Sequence, residues 1–400
     1  GMEEVVISYL FLSAMIGAPL GGTIADRIGR KKVLIAAGIL FATGSLVMSF
    51  AFSVWALISG RIITGLALGM VSVTSPIYIS EISSARQRGK MVSFNILAIT
   101  LGTIISYTAD YFFSFSDNWR WMLGLEIVPA AVLAVGMLLL PESPRWLALH
   151  SLQDKAARAL MRLRGTTDVG TELLDMEVGA EKKPGGWIDL LDPSVRYALL
   201  LGIGLAVFRS FAGFSIVLYG YAPTIVERSG VDVASIAILA TIGIGVINTL
   251  MTIVIVPLID RVGRRPLMLI GLAGLFLSLI LLGFAFAFPS TDRFVKWLTI
   301  SSLFLYIGSF SLGPRPVFWV LISEIYPQRI RGKAMSVGSL ANWAANFFVT
   351  LTFLTLTQII GRSGTFWLYA VFAVATWLLF YFLVPETKGR SLEDIGKKLR

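Results

Sequence analysis

Three charged signatures, separated by almost uncharged apolar sequence, occur twice and in the same order along this 400-residue chain. Asp26-Arg-Ile-Gly-Arg30 returns 234 residues later as Asp260-Arg-Val-Gly-Arg264. Ser80-Glu-Ile, running on to Arg88-Gly-Lys90, returns 243 residues later as Ser323-Glu-Ile with Arg331-Gly-Lys333. Pro141-Glu-Ser-Pro-Arg145 has a looser echo 244 residues on, in Pro385-Glu-Thr-Lys-Gly389. Offsets this close point to a duplicated unit, and parallel duplication of a membrane bundle about an axis along the membrane normal is a transporter architecture. The expectation is two similar helical bundles facing each other across a solute path.

Composition agrees with a membrane setting. Hydrophobic residues form 56% of the chain and charged residues 14%, against about 25% charged in an ordinary soluble domain; mean hydropathy is +0.79. So little polar side chain cannot cover a water-soluble globule of this size. The chain has no Cys, which removes disulfides and Cys-based metal or nucleophile chemistry. Its lone His150 lies in a polar segment and reads as an ordinary loop residue. The loops show no paired catalytic carboxylates, phosphate loop or metal-ligand spacing, so neither enzyme chemistry nor a bound cofactor is expected.

Apolar stretches of roughly 20 residues, long enough for a hydrocarbon core of about 30 Å, fall near 5–25, 33–53, 56–80, 91–113, 119–140, 197–225, 233–258, 266–288, 296–325, 332–358 and 364–384. Of the 34 Lys and Arg, 26 lie in the segments 26–32, 81–90, 141–196, 260–266, 327–333 and 385–400, and five lie in the alternate loops. Cytoplasmic loops carry the excess of Lys and Arg, which places the first group and the C-terminus inside, in a multi-pass protein of the cell membrane. Proximity to anionic lipid then accounts for the net charge of +10 without nucleic acid. Arg61, Arg209 and Arg315 remain, and all three fall inside spans. The expected division is an N-terminal bundle over 1–150, a cytoplasmic helical linker over 151–196 and a C-terminal bundle over 197–400 with a short tail. Within the linker, 153–164 has helical apolar spacing, and Lys182-Lys-Pro-Gly-Gly186 breaks it. No secretory signal is recognisable, since the first apolar stretch is long, follows Glu3 and Glu4, and leads into a basic loop.

These residues, together with Pro76-Ile-Tyr-Ile-Ser-Glu81, Gly313-Pro-Arg-Pro-Val-Phe-Trp319 and Asn342-Trp343, make a chain that resembles the sugar porter branch of the major facilitator superfamily, which includes sugar/proton symporters and facilitative glucose carriers. The resemblance covers essentially the whole chain. It implies an all-α membrane protein of twelve helices in two pseudo-symmetric halves, of which about eleven are present here besides short cytoplasmic helices, and transport by alternating access. On that pattern the sequence starts at helix 2, so the expectation is a fragment or a processed chain. Proton-coupled members place an Asp on helix 1 near an Arg of helix 4 and a Glu of helix 6; the resemblance assigns the latter two to Arg61 and Glu126.

The acidic and basic residues at the inner helix ends suit a gate that pairs when the cytoplasmic side is shut and separates when it opens. Asp26, Arg30, Glu81, Arg88, Glu142 and Arg145 form the set expected of the first half, and Asp260, Arg264, Glu324, Arg331 and Glu386 that of the second. Headgroup anchoring would explain the basic residues but not acidic ones repeated at matching positions.

Sugar porters usually carry Gln-Gln-x-x-Gly-x-Asn on helix 7, because hydroxyl-rich ligands need amides that donate and accept; here the stretch reads Arg209-Ser210-Phe-Ala-Gly213-Phe-Ser215. Ile96 and Thr103 stand where helix 5 offers two Gln. The resemblance carries substrate contacts onto Arg209, Ser210, Ser215, Asn248, Gly313, Trp319, Asn342 and Thr103. A charge near the bilayer centre costs roughly 2.5–3.5 kcal/mol on insertion scales and usually faces a cavity or a partner, so Arg209 and Arg315 suit a carboxylate or phosphate. The alternatives are a neutral sugar or polyol as the solute, and a purely structural Arg209 that pairs with a membrane acid such as Glu126 or Asp110 or hydrogen-bonds backbone carbonyls freed by Gly213. The expected function is a secondary transporter of a small polar solute, sugar-like or acid-bearing and open to proton coupling, acting as a monomer in lipid. A non-transporting nutrient sensor on the same scaffold is the other reading; its usual long tail is absent, since only 385–400 follow the last span.

Overall fold

Backbone N–H and C=O groups find no water in a hydrocarbon core, so an apolar chain must satisfy them within helices or a closed barrel, and this chain takes the helical solution. The computed structural model describes residues 2–84, 88–115, 118–174, 186–213, 234–288, 293–326 and 330–384, among which there is no strand. The first half holds α1 (Met2–Ile28), α2 (Arg30–Ser49), α3 (Val54–Ile82), α4 (Arg88–Ser114), α5 (Trp119–Gly124) and α6 (Ile127–Leu139). Two short helices follow, α7 (Pro144–Leu149) and α8 (Gln153–Arg164), then a 3-10 turn at Ile188–Leu191. The second half holds α9 (Pro193–Phe211), α10 (Ala234–Val262), α11 (Arg264–Ala287), α12 (Arg293–Leu312), α13 (Pro316–Ile325), α14 (Arg331–Ile359) and α15 (Gly361–Leu383). Among the described residues nine segments are long and apolar enough to span a membrane, and α10 contributes a shorter apolar stretch, Ile242–Ile255.

Helix ends follow local chemistry. Ser53 Oγ accepts from Ala56 N at 3.2 Å and starts α3, while Ser143 caps α7 with Pro144 in the first turn, the position where a missing N–H costs nothing. Gly165, left-handed at φ 67°, closes α8. Inside the spans, hydroxyls fold back onto their own helix, as Thr103 Oγ1 does to Ile99 O at 3.0 Å, which lets polar side chains sit in apolar surroundings.

Within the first half α3 packs on α1 and α2, and α2 on α6. Within the second, α11 packs on α12 and α15, and α9 on α14 and α15. Among the described residues the halves meet most extensively along two seams, α1 against α14 and α4 against α10. On the first seam Phe11 stacks on Trp343 at 6.0 Å, and Glu4 Oε1 accepts from Thr355 N at 2.8 Å. Trp55, Trp119, Trp121, Trp297 and Trp367 near the span ends are all exposed, as residues of an interfacial belt are.

Two expected spans are interrupted. The 119–140 stretch divides between Gly124 and Ile127, and the 296–325 stretch breaks at Gly313–Arg315. Pro316 opens α13 at its first turn, and Arg315 N bonds back to Phe310 O at 3.0 Å.

Candidate functional site

The break between α12 and α13 exposes carbonyls that a continuous helix would satisfy, and a buried polar cluster forms around it. Arg209 on α9 is 4% exposed, with Nη1 donating to Pro314 O at 3.5 Å and Nη2 donating to Asn342 Oδ1. Its guanidinium also lies 4.5 Å from the Phe318 ring centroid and 5.8 Å from that of Phe310, a geometry in which ring quadrupoles attract the cation. Ser210 Oγ donates to the same Asn342 oxygen at 3.3 Å and to Ala206 O at 2.9 Å. Next to Pro314, Arg315 Nη1 donates to Asn248 Oδ1 at 2.5 Å, and Ser311 Oγ joins it at 2.8 Å. Helices α9, α10, α12, α13 and α14 thus converge on one contiguous network.

The expected pairing of Arg209 with Glu126 or Asp110 is not what the structure holds. Among the described residues an amide oxygen and a carbonyl freed at the 313–315 break take that place; the stretch that follows Gly213 lies outside the described residues. At Gly313 a Cβ would lie 2.3 Å from Leu267 O, so its lack of side chain serves the close approach of α11. Trp319 is half-buried, edge-on to Phe318 at 5.1 Å. Thr103, half-buried on α4, directs its hydroxyl to its own helix. Ser215 lies outside the described residues. Sequence reasoning missed Asn346, whose Nδ2 donates to Asn342 O at 2.8 Å and whose buried Oδ1 has no partner among the described residues; the i, i+4 spacing from Asn342 was its signal.

Arg61 and Glu126 are brought near enough for their charges to interact, and no hydrogen bond or ion pair joins them. Asp110 on α4 joins this group through its interaction with Glu126, a place the sequence reading did not give it.

Where α1 passes into α2, Arg30 is bound by Asp26 at 3.0 Å and Glu81 at 3.1 Å. Glu142 Oε1 accepts from the N–H groups of Arg30 (3.0 Å), Lys31 (3.1 Å) and Ser143 (2.9 Å), an anion on the start of α2, where unsatisfied N–H groups favour it. Ser143 Oγ closes the set on Glu81 at 2.6 Å. Arg145, expected here, is instead exposed on α7 and takes no part in these bonds. The repeat recurs in backbone form: Gly29 and Gly263 have φ of 104° and 106°, and Arg30 and Arg264 each donate to the carbonyl five residues back, Ala25 O at 2.9 Å and Ile259 O at 3.3 Å. Glu386 lies outside the described residues, as do the side chains of Arg88, Asp260, Glu324 and Arg331.

The comparisons with known proteins agree with this architecture. A family model described as sugar (and other) transporter matches residues 3–399. The chain is 36% identical over 403 residues to the arabinose-proton symporter of Escherichia coli, covering 100% of this chain and 85% of that protein. It is 38% identical over 398 residues to the D-xylose transporter of Levilactobacillus brevis, covering 99% and 87%. Among solved structures, the proton:xylose symporter XylE bound to 6-bromo-6-deoxy-D-glucose superposes with a TM-score of 0.83 at 31% identity, over 99% of this chain and 89% of that one. The partially occluded inward open conformation of XylE from E. coli gives 0.84 at 31% identity, over 97% and 88%.

Proposed function

The chain belongs to the sugar (and other) transporter family, and from that premise we propose that it moves a monosaccharide or polyol across the cell membrane by alternating access, coupled to protons, as a monomer with its C-terminus in the cytoplasm. The observation that carries this reading is the buried network at the 313–315 break. There, Asn248 and Asn342, with Ser210 and Trp319 nearby, form a wall suited to a hydroxylated solute, whose oxygens both accept and donate. The guanidinium of Arg209 is engaged by Pro314 O, Asn342 Oδ1 and the Phe318 ring. The cation therefore shapes the wall from within, which favours a neutral solute over an acid-bearing one. The names of the relatives, an arabinose-proton and a galactose-proton symporter, support the same class.

Arg61, Glu126 and Asp110 are the groups for proton coupling, because two acids share one region with a single cation and protonating one of them relieves like-charge repulsion. The inner network of Asp26, Arg30, Glu81, Arg88 and Glu142, with its second-half counterpart of Asp260, Arg264, Glu324, Arg331 and Glu386, holds the cytoplasmic side in one of its two states and biases the rocking equilibrium through contacts present in only one of them.

Uptake into proteoliposomes of labelled D-xylose, L-arabinose, D-galactose, xylitol and a set of organic acids, with and without an inward proton gradient, tests the reading. Gradient-driven uptake of a sugar or polyol, abolished by a protonophore, is expected. Uptake of organic acids in place of sugars overturns the solute class, and ligand binding without flux identifies a sensor.

A further inference from the structure

The second half repeats one arrangement. Asn248 Oδ1 accepts from Ser311 Oγ and Arg315 Nη1, and Asn342 Oδ1 accepts from Ser210 Oγ and Arg209 Nη2. In both, a serine and an arginine occupy the two lone pairs of an amide oxygen. The two partners are not equivalent. A hydroxyl donates or accepts, so serine alone tolerates either orientation of the amide. A guanidinium has N–H donors and no acceptor, so it admits the amide only with its oxygen turned inward. Asn248 is 1% exposed, and its Nδ2, turned the other way, is buried with no partner among the described residues. A buried N–H left without an acceptor is destabilising, and a bound solute is the natural source of one.

Resting on the hydroxylated-solute reading above, we infer that Arg315 is a positioning residue: it locks the Asn248 amide with Nδ2 as the presented donor, so that this wall reads solute oxygens as acceptors only. Arg209 does the same for Asn342. The solute class that fits is one with exposed lone pairs at this wall, such as ring, hydroxyl or carbonyl oxygens, and a solute presenting an ammonium there is rejected.

Substitutions separate orientation from mere packing. Arg315→Lys keeps a donor-only group, whereas Arg315→Gln supplies an amide that donates or accepts and so releases the lock. Asn248→Asp retains the acceptor for Arg315 and Ser311 but removes the presented donor. The readout is competition against labelled D-xylose uptake by monodeoxy- and deoxyfluoro-D-xyloses, because fluorine keeps an acceptor while removing the donor. At one sugar position the fluoro analogue should compete about tenfold better than the deoxy analogue in the wild type and in Arg315→Lys, the scale of one hydrogen bond. In Arg315→Gln that ratio should fall toward one, and in Asn248→Asp D-xylose KM should rise by about tenfold or more while Tm stays near wild type. An unchanged ratio in Arg315→Gln, or unaltered KM in Asn248→Asp, overturns the inference. If the wild type takes up no sugar, the solute reading has failed separately. The orientation is then decided by Tm alone: Asn248→Asp melting above Asn248→Leu supports the lock, and equal melting of the two overturns it.

Discussion

Arg209 is a cation buried within a membrane span, and its surroundings explain why the protein tolerates it there. Two ring faces, an amide oxygen and a carbonyl freed by the helix break surround it, and a charged hydrogen bond of this kind contributes about 1.5–3 kcal/mol. Arg209→Leu is expected to strip donors from Asn342 and Pro314 and lower Tm in a detergent thermal-shift assay, by more than Arg209→Gln, whose amide still reaches an acceptor. The reverse order would show that packing against Phe318, not hydrogen bonding, holds this side chain. Gly29 makes a second case. Its φ of 104° lies in a region that L side chains rarely adopt, and a Cβ would come within 2.1 Å of Glu142 Oε2. Gly29→Ala should cost on the order of 1–3 kcal/mol and displace Glu142 from the start of α2, which a lowered Tm together with increased cytoplasmic labelling of α2 would report. Both glycines of the repeat, and Arg209 itself, were visible as motifs in the sequence. Their partners were not, because a motif carries no information about which distant backbone group lies across from it.

At the scale of elements, the inner ends of α1, α2, α3 and α7 are joined by a single set of charges, and the side chains of Arg30 and Glu81 are only 8% and 9% exposed. Stranding one partner of a buried pair costs roughly 3–5 kcal/mol, and the loss of Glu81 costs less than that because Asp26 still pairs with Arg30. Glu81→Ala should therefore lower Tm and loosen the inner gate, and a cysteine placed on the inner part of α3 in this Cys-free chain should label faster from the cytoplasmic side. Equal labelling in Glu81→Ala and wild type would confine the pair to anchoring. Arg145→Ala, by contrast, should leave both measurements within error, since Arg145 is exposed and outside the network. The ends of the spans that the structure describes were legible to within a few residues from apolar length, the 197–225 stretch running beyond the described residues after Gly213. The interruption at 313–315 was not, although Gly313, Pro314 and Pro316 signal it in hindsight: a helix of this apolarity can absorb a proline as a kink, so the residues alone do not say whether it bends or breaks.

For the whole molecule, the two halves touch along α1–α14 and α4–α10, and rocking must slide or part these seams. Near the inner end of the first seam a Cβ on Gly22 would sit 3.3 Å from Ser336 Oγ. Cross-linking Gly22→Cys to Ser336→Cys should abolish uptake, and reductant should restore it. Uptake that persists through complete cross-linking would mean that this seam is a fixed hinge and that the motion lies elsewhere. Toward the other end of the same seam, Glu4 bonds to the backbone and hydroxyl of Thr355, so Glu4→Gln should weaken the contact between halves there and raise the accessibility of Trp343 to polar quenchers added from outside.

By itself, the order of residues determined that the chain spans a membrane as helices and that it is a tandem repeat, because apolar length and periodic recurrence are local properties that need no tertiary contact to be read. Tertiary structure alone decided that Arg209 meets Asn342 and Pro314 rather than Glu126 or Asp110, that Arg145 stands apart from the Arg30–Glu81–Glu142 network, and that Asn248 is pinned by Arg315. Hydrogen bonding depends on where a donor lies and which way it faces, and helices far apart along the chain acquire that geometry only when their packing brings them together.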